Sequence, residues 1–109
     1  MSTDADEQEV RNHCLRHQVP FAKLDGQDIA TTLIDAVPRE VAIQWRVMPV
    51  AEKSGTLILA SDDVSDPNAR VIDASIDLRR RCQPALTTRG ALQRALERYY
   101  GPDRERSDD

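Results

Sequence analysis

The sequence has little of what several classes of protein require. Its 109 residues include only four glycines, which stand apart from one another. Isolated glycines cannot build the loop that cradles nucleotide phosphates, and no segment matches G-x-x-x-x-G-K-S/T. No apolar run approaches the roughly 18 residues of a membrane span, and the opening MSTDADEQEV has no apolar core of an export signal. These absences exclude a P-loop NTPase. We also expect no membrane span and no export signal.

The balance of charges and the cysteines narrow the function further. Asp and Glu number 19 against 15 Lys and Arg, which gives a net charge of −4. Nucleic-acid modules carry a clustered excess of Lys and Arg, so we expect no nucleic acid partner. Cys14 and Cys82 are far apart in a chain with no visible secretory signal. We therefore expect two reduced thiols in a cytoplasmic protein.

The first half of the chain shows helical spacing. The length fits a single domain, with residues 1–6 and 102–109 as flexible tails. Apolar periodicity predicts a helix over 7–17, a short helix that Asp28 caps and Pro38 interrupts, and a further short helix over 38–46. We expect residues 21–24 between the first two helices to be extended.

The second half alternates strands and helices. Residues 47–50 and 56–61 predict a hairpin whose turn is 52–55, and Pro49 places the first strand at a sheet edge. Residues 82–86 predict a further strand, and the helix before it favours a right-handed parallel βαβ crossover. The predicted fold is α+β, with helices packed on an open sheet of about three strands.

End signals locate the last two helices. Asp66 followed by Pro67 predicts a helix start, and the basic run 79–81 suits the last turn of that helix. Thr87 or Thr88 is the expected cap of the final helix, and Gly101 its C-terminal glycine. The predicted core is the apolar face of these helices and of the best strand: Leu57, Leu59, Val71, Ile72, Ile76, Leu92 and Leu96.

Two clusters of polar residues have spacing that could bind a metal. His13 and His17 are four residues apart, beside Cys14 and one turn after Glu9. Structural zinc needs a second ligand cluster, and Cys82 is the only other thiol, so we expect solvent-facing histidines and no metal. The carboxylates of Asp62, Asp63 and Asp66 lack the regular ligand alternation of a calcium loop, and we expect a strand-to-helix loop there.

Several short segments stand in a characteristic order and spacing. They are VPFAKL (19–24), VPRE (37–40), RVMPV (46–50), LILA (57–60), DP (66–67) and ALERYYG (95–101). Together they resemble the N-terminal domain of the type II secretion and type IV pilus extension ATPases. The resemblance covers about residues 10–101 and is to the compact α+β part, so that 7–101 is identified as a secretion ATPase N-terminal-like domain.

The resemblance implies a non-catalytic docking or regulatory module. In the secretion ATPases this domain binds the cytoplasmic part of an inner-membrane platform protein, so the implied partner is such a protein or the ATPase of a secretion, pilus or motility apparatus. The opening residues and the polar end favour a free-standing protein that acts in trans. We expect no enzyme activity and no cofactor.

The alternative is a cyclic-di-GMP receptor. Family members often carry an earlier helical part with Arg-Leu-Gly-type repeats that bind this nucleotide, and no such repeat occurs here. A receptor would use the arginines at 79–81 or Arg89 against phosphate.

Protein interfaces concentrate Trp, Tyr and Arg, and the chain has few aromatic residues. The candidate partner-binding residues are therefore Trp45, Arg46, Arg98, Tyr99 and Tyr100. We expect them beside the edge strand at 47–50 or on the helices that flank it. The core is the favoured place for Trp45 and Tyr99, which leaves Tyr100 and the two arginines as the better exposed anchors.

Overall fold

The computed structural model describes residues 3–25 and 28–101, with side chains from residue 7 onward. Five α-helices and three β-strands lie within these residues. In chain order they are α1 (Thr3–His17), α2 (Thr31–Ala36), α3 (Arg39–Trp45), β1 (Met48–Lys53), β2 (Thr56–Ser61), α4 (Pro67–Leu78), β3 (Cys82–Leu86) and α5 (Arg89–Tyr100).

The three strands form one open sheet in the order β1-β2-β3. β1 pairs with β2 antiparallel, and β2 pairs with β3 in parallel through the crossover that contains α4. The predicted α+β fold, with a hairpin plus a parallel crossover, is confirmed. The predicted extended segment at 21–24 contributes a single parallel bridge from Phe21 to Leu86.

The hairpin turn is shorter than the sequence indicated. β1 runs on to Lys53, so that Ser54 and Gly55 alone connect the strands, with φ values of 52° and 82°. Two consecutive positive φ angles are typical of a type I′ turn, which matches the twist of the strands. β1 is an edge strand, as Pro49 predicts, and its register shifts between Pro49 and Ala51.

Most of the predicted core is confirmed. Leu57 and Leu59 of β2, Val71 of α4, and Leu92 and Leu96 of α5 are buried in one cluster.

Ile72 and Ile76 were wrongly placed in the core, since their side chains are 54% and 67% exposed. α4 buries the stripe that contains Val71 and Ala74. Because a residue advances about 100° around a helix, Ile72 and Ile76 lie on a second apolar stripe that faces away from the core.

Two predicted helix ends differ in the structure. α4 ends at Leu78, and Arg79 adopts a left-handed conformation with φ of 55°, so the run 79–81 follows the helix instead of forming its last turn. Asp28 does not cap α2, whose N-cap is Ala30; it bonds Arg98 instead. The predicted start of α4 is confirmed, since Asp66 is its N-cap and Pro67 its first residue, although the Asp66 side chain makes no capping hydrogen bond.

The start of α1 and both ends of α5 complete the comparison of predicted and observed helix ends. α1 begins at Thr3, four residues before the predicted start. The Thr88 side chain accepts a hydrogen bond from the Ala91 amide, which confirms the predicted cap of α5, and Gly101 ends that helix.

α1 packs on the end of the sheet in a small separate cluster. Val10 and Cys14 of α1 are buried with Leu86 of β3. Burial raises the pKa of the Cys14 thiol above its usual value, with the nearby Arg11 opposing that shift. No helix in residues 3–25 or 28–101 combines the length and the apolar character needed to cross a bilayer.

Candidate functional site

Two predicted partner-binding residues lie at the junction of α3 and β1. The half-buried Trp45 closes α3, and its Nε1 donates a hydrogen bond to Oδ2 of Asp77 in α4 at 2.8 Å. Arg46 follows with φ of 51°, a left-handed turn that leads the chain into β1. The indole N–H is therefore used within the domain, and Trp45 fastens α3 to α4.

Arg46 belongs to an ion-pair cluster at the end of β2. The Asp62 side chain is only 8% exposed and accepts from Nη1 of Arg70 at 2.7 Å and from Nη2 of Arg46 at 3.3 Å. Nη1 of Arg46 also donates to Gln93 in α5 at 2.7 Å. This cluster joins α3, β2, α4 and α5 around one nearly buried carboxylate.

The remaining acids of the loop make local bonds. Oδ1 of Asp63 accepts from the Ser65 hydroxyl at 2.9 Å and from the Asp66 amide at 3.2 Å. The strand-to-helix loop expected there is what the structure contains. Within the described residues, no three His, Cys, Asp or Glu side chains are grouped as metal ligands.

The histidines of α1 lie side by side. The rings of His13 and His17 are stacked with their centroids 6.5 Å apart. His17 is exposed, whereas Nδ1 of His13 is buried without a hydrogen-bond partner. This arrangement is a pair of stacked rings on one helix face.

Arg98 and Tyr99 lie on the side of α5 that meets residues before α2. Nη2 of Arg98 donates to Asp28 at 2.7 Å, and its guanidinium carbon lies 5.0 Å from the centroid of the Tyr99 ring. The Tyr99 hydroxyl accepts from the Ile29 amide at 2.9 Å. Tyr99 is half-buried, and its hydroxyl holds this part of the chain on α5.

Tyr100 points elsewhere, toward α2 and α3. Its hydroxyl lies 3.0 Å from the Val37 carbonyl and 3.3 Å from that of Ile34, and its own carbonyl accepts from Nε of Arg39 at 2.7 Å. Burial raises the pKa of Tyr100, and the negative charge of Asp35 adds to that shift. Tyr100 is thus a hydrogen-bonded tether between α5 and the two short helices.

The five predicted partner-binding residues therefore fall into three places and do not form one patch. Trp45 and Arg46 lie at the end of α3, Arg98 and Tyr99 beside Asp28, and Tyr100 against α2. Sequence reasoning missed Arg94, one turn before Arg98, which bonds Asp25. The i, i+4 spacing of the two arginines was the signal that could have indicated a common face.

The edge strand is less accessible than expected. Val47, Met48 and Pro49 are buried, and α2 packs against β1. Only Glu52 and Lys53, beyond the half-buried Val50 and Ala51, are exposed. The residues at 47–49 therefore offer no open surface, and exposed candidates lie on the helices.

The arginines considered for cyclic-di-GMP are separated by β3. Those at 79–81 precede the strand and Arg89 follows it, so the five residues of β3, roughly 17 Å long, lie between them. Arg80 bonds Glu52 of β1, whereas Arg89 is exposed in the first turn of α5. The structure does not bring these arginines together around one ligand.

Comparison with known proteins identifies the fold and the family. The MshEN domain matches residues 17–106. The structure of MshE with cdg aligns with a TM-score of 0.73 and 17% identity, over 92% of this chain and 70% of that chain. No curated protein matches the sequence.

The N-terminal domain of XpsE is similar in two crystal forms. One aligns with a TM-score of 0.66 and 17% identity, over 84% of this chain and 67% of that chain. The other aligns with a TM-score of 0.61 and 18% identity, over 87% of this chain and 66% of that chain. The resemblance to the N-terminal domains of secretion and pilus ATPases is confirmed, and the chain belongs to the MshEN domain family.

Proposed function

We propose that this domain is a non-catalytic, cytoplasmic docking module of a secretion, pilus or motility apparatus. The observation that carries the proposal is the MshEN match, which spans most of the chain. The partner is the cytoplasmic part of an inner-membrane platform protein or an ATPase of the same apparatus. The domain positions or regulates that machine without performing chemistry itself.

The contacts of the candidate residues indicate which of their atoms are available to a partner. The polar atoms of Trp45, Tyr99 and Tyr100 bond within the domain, so their contribution to a partner is ring surface. Arg46 and Arg98 keep 34% and 56% of their side chains exposed. Because arginine supplies several donors in a planar fork, these two residues are the strongest candidate anchors.

A binding measurement with defined partners tests this proposal. The cytoplasmic fragment of the platform protein and the apparatus ATPase, each from the same genome, are titrated against this chain by calorimetry. Arg46→Ala and Arg98→Ala should each weaken binding by at least about fivefold, a loss of about 1 kcal/mol, if they are anchors. Arg16→Ala, on the exposed side of α1, is the matched control, and circular dichroism verifies folding.

The possible results distinguish an error in the assigned binding surface from an error in the proposed docking function. Binding that neither anchor variant weakens moves the interface to another face. Failure of every apparatus protein to bind the wild-type chain overturns the docking proposal itself.

A cyclic-di-GMP receptor is the second candidate, favoured by the similarity to the structure of MshE with cdg. Arg89 is the arginine best placed for phosphate, because it is exposed at the start of α5, where backbone amides face outward. Calorimetric titration with cyclic-di-GMP tests this candidate. Saturable binding that Arg89→Gln abolishes and Arg81→Gln does not would favour it, and absence of heat at two well-separated temperatures would reject it.

A further inference from the structure

Arg94 and Arg98 form an arginine pair on the exposed side of α5. Residues four apart lie one above the other on a helix, so the two guanidinium groups share one face. Arg94 pairs with Asp25 and Arg98 with Asp28, two acids about 70 positions earlier in the sequence. The arginine pair therefore already binds two carboxylates that are three positions apart.

The geometry at Arg94 is that of a built carboxylate site. The Asp25 carboxylate receives Nε of Arg94 at 3.0 Å and Nη2 at 2.7 Å, the bidentate arrangement in which arginine binds carboxylates most specifically. The guanidinium lies close over Gly90, where a Cβ would stand 3.2 Å from Nη1. A side chain at position 90 would therefore require the Arg94 guanidinium to shift by a few tenths of an ångström.

An apolar recess adjoins the two arginines. Leu24, Ala91 and Ala95 line it together with Tyr99 and the arginine pair. The Arg98 guanidinium lies near the face of the Tyr99 ring. The surface thus combines two cationic groups with a small apolar floor and an aromatic rim.

The two intramolecular ion pairs lie in contact with solvent. The side chains of Arg94 and Arg98 are both more than half exposed, and Asp28 is 91% exposed. Exposed ion pairs contribute about 1 kcal/mol or less to folding stability, with a bidentate pair such as Arg94–Asp25 at the upper end, so other carboxylates can compete with Asp25 and Asp28. The tethered aspartates compete because they are present at high local concentration.

We infer that the arginine pair docks an acidic segment of a partner protein, and that Asp25 and Asp28 occupy it while the partner is absent. This inference rests on the proposed docking function and specifies its chemistry. The fitting segment carries two carboxylates three positions apart, with an apolar side chain between them for the recess. Asp25 and Asp28 are then built-in competitors that set the affinity for the partner.

A labelled peptide tests the inference. The probe is a short fluorescein-labelled peptide with two aspartates three positions apart around a leucine, and its twin carries asparagines instead. Fluorescence anisotropy at low salt measures binding to the full chain. D25N/D28N should tighten binding roughly 2- to 30-fold, the range expected when two exposed ion pairs no longer compete.

Loss and control variants complete the test. R94Q/R98Q should abolish binding of the aspartate peptide, whereas R16Q/K53Q removes the same charge from other exposed positions and should change it less than twofold. A D25N/D28N chain that binds no tighter than wild type, or an R94Q/R98Q chain that binds like R16Q/K53Q, overturns the inference. Displacement of the peptide by cyclic-di-GMP would reassign the arginine pair to that nucleotide. Capture of the platform fragment by R94Q/R98Q would overturn the inference and leave the docking function standing.

Discussion

The hydroxyl of Tyr100 lies 3.0 Å from the backbone carbonyl of Val37, across 63 positions of the chain. Tyr100 is the last residue of α5 and Val37 is the C-cap of α2, so the bond fixes the C-terminal helix against the first short helix. Tyr100 is half-buried, and the carbonyls of Val37 and Ile34 are the acceptors near its hydroxyl. This bond explains why a tyrosine at the end of the final helix has a structural role.

Tyr100→Phe should lower the free energy of unfolding by about 0.5 to 1.5 kcal/mol, because the ring still packs while the hydrogen bond is lost. Urea denaturation monitored by circular dichroism measures the change. No loss of stability would show that the Val37 carbonyl is equally well satisfied without the hydroxyl.

Alkaline pH should destabilise the domain through the same residue. The pKa of Tyr100 is raised in the folded state by burial, with the Asp35 charge adding to the shift. The stabilisation is full below the unfolded pKa of about 10 and is lost as the pH rises toward the folded value, since the unfolded chain then releases the proton first. Denaturation curves from pH 8 to 11 should show a decline that Tyr100→Phe makes shallower; equal slopes in both chains would contradict this.

Local sequence patterns predicted the order of helices and strands. They could not predict which face of a helix packs on the sheet, because tertiary contacts determine that. The hairpin, the crossover and the Thr88 cap depend on neighbouring residues, and the structure contains all three. α4 carries two apolar stripes, and periodicity alone cannot say that the one with Val71 faces the sheet while that with Ile76 faces solvent. Contact with the sheet makes that choice.

The candidate surface depends even more on distant contacts. Asp28 has the ideal residue type for a helix cap, yet it bonds Arg98 at the other end of the chain. Nothing in the sequence indicates that Asp25 is the partner of Arg94. Pairs about 70 residues apart leave no mark on local spacing, so the residue types could be predicted and their grouping could not.

The stability that the Thr88 cap gives to α5 should be measurable by comparison with α4, whose start has no capping side-chain bond. Thr88→Ala should cost about 0.5 to 2 kcal/mol, because the Ala91 amide loses its acceptor. Asp66→Ala is the control, since Asp66 precedes α4 without a capping side-chain bond. Equal losses in thermal or urea denaturation would show that the cap of α5 contributes nothing of its own.

Core burial in α5 and exposure in α4 can be compared directly. Leu96→Ala should destabilise by about 2 to 5 kcal/mol, because Leu96 is buried in the main core cluster. Ile76→Ala, in the exposed stripe, should change stability by no more than about 0.5 kcal/mol. A Leu96 loss below about 1 kcal/mol would mean that α5 is not docked as described.

Nucleoside triphosphates should be neither hydrolysed nor tightly bound. The sequence contains no glycine-rich phosphate loop with its Lys and Ser or Thr pair to hold phosphates and magnesium. Phosphate release from ATP and GTP in the presence of magnesium measures this. Magnesium-dependent turnover that follows the purified protein through successive columns would contradict it.

Asp62 should be the acid whose removal costs most, because it is nearly buried between Arg46 and Arg70. Asp62→Ala removes the acceptor from two charged donors and should lower stability by about 1 to 3 kcal/mol. Asp73→Ala, on the exposed side of α4, is the matched control and should change stability by no more than about 0.5 kcal/mol. Because salt screens buried pairs far less than exposed ones, the difference between the two variants should persist in high salt. Equal stability of the two variants, or a difference that salt removes, would show that the cluster at the end of β2 does not hold the helices together.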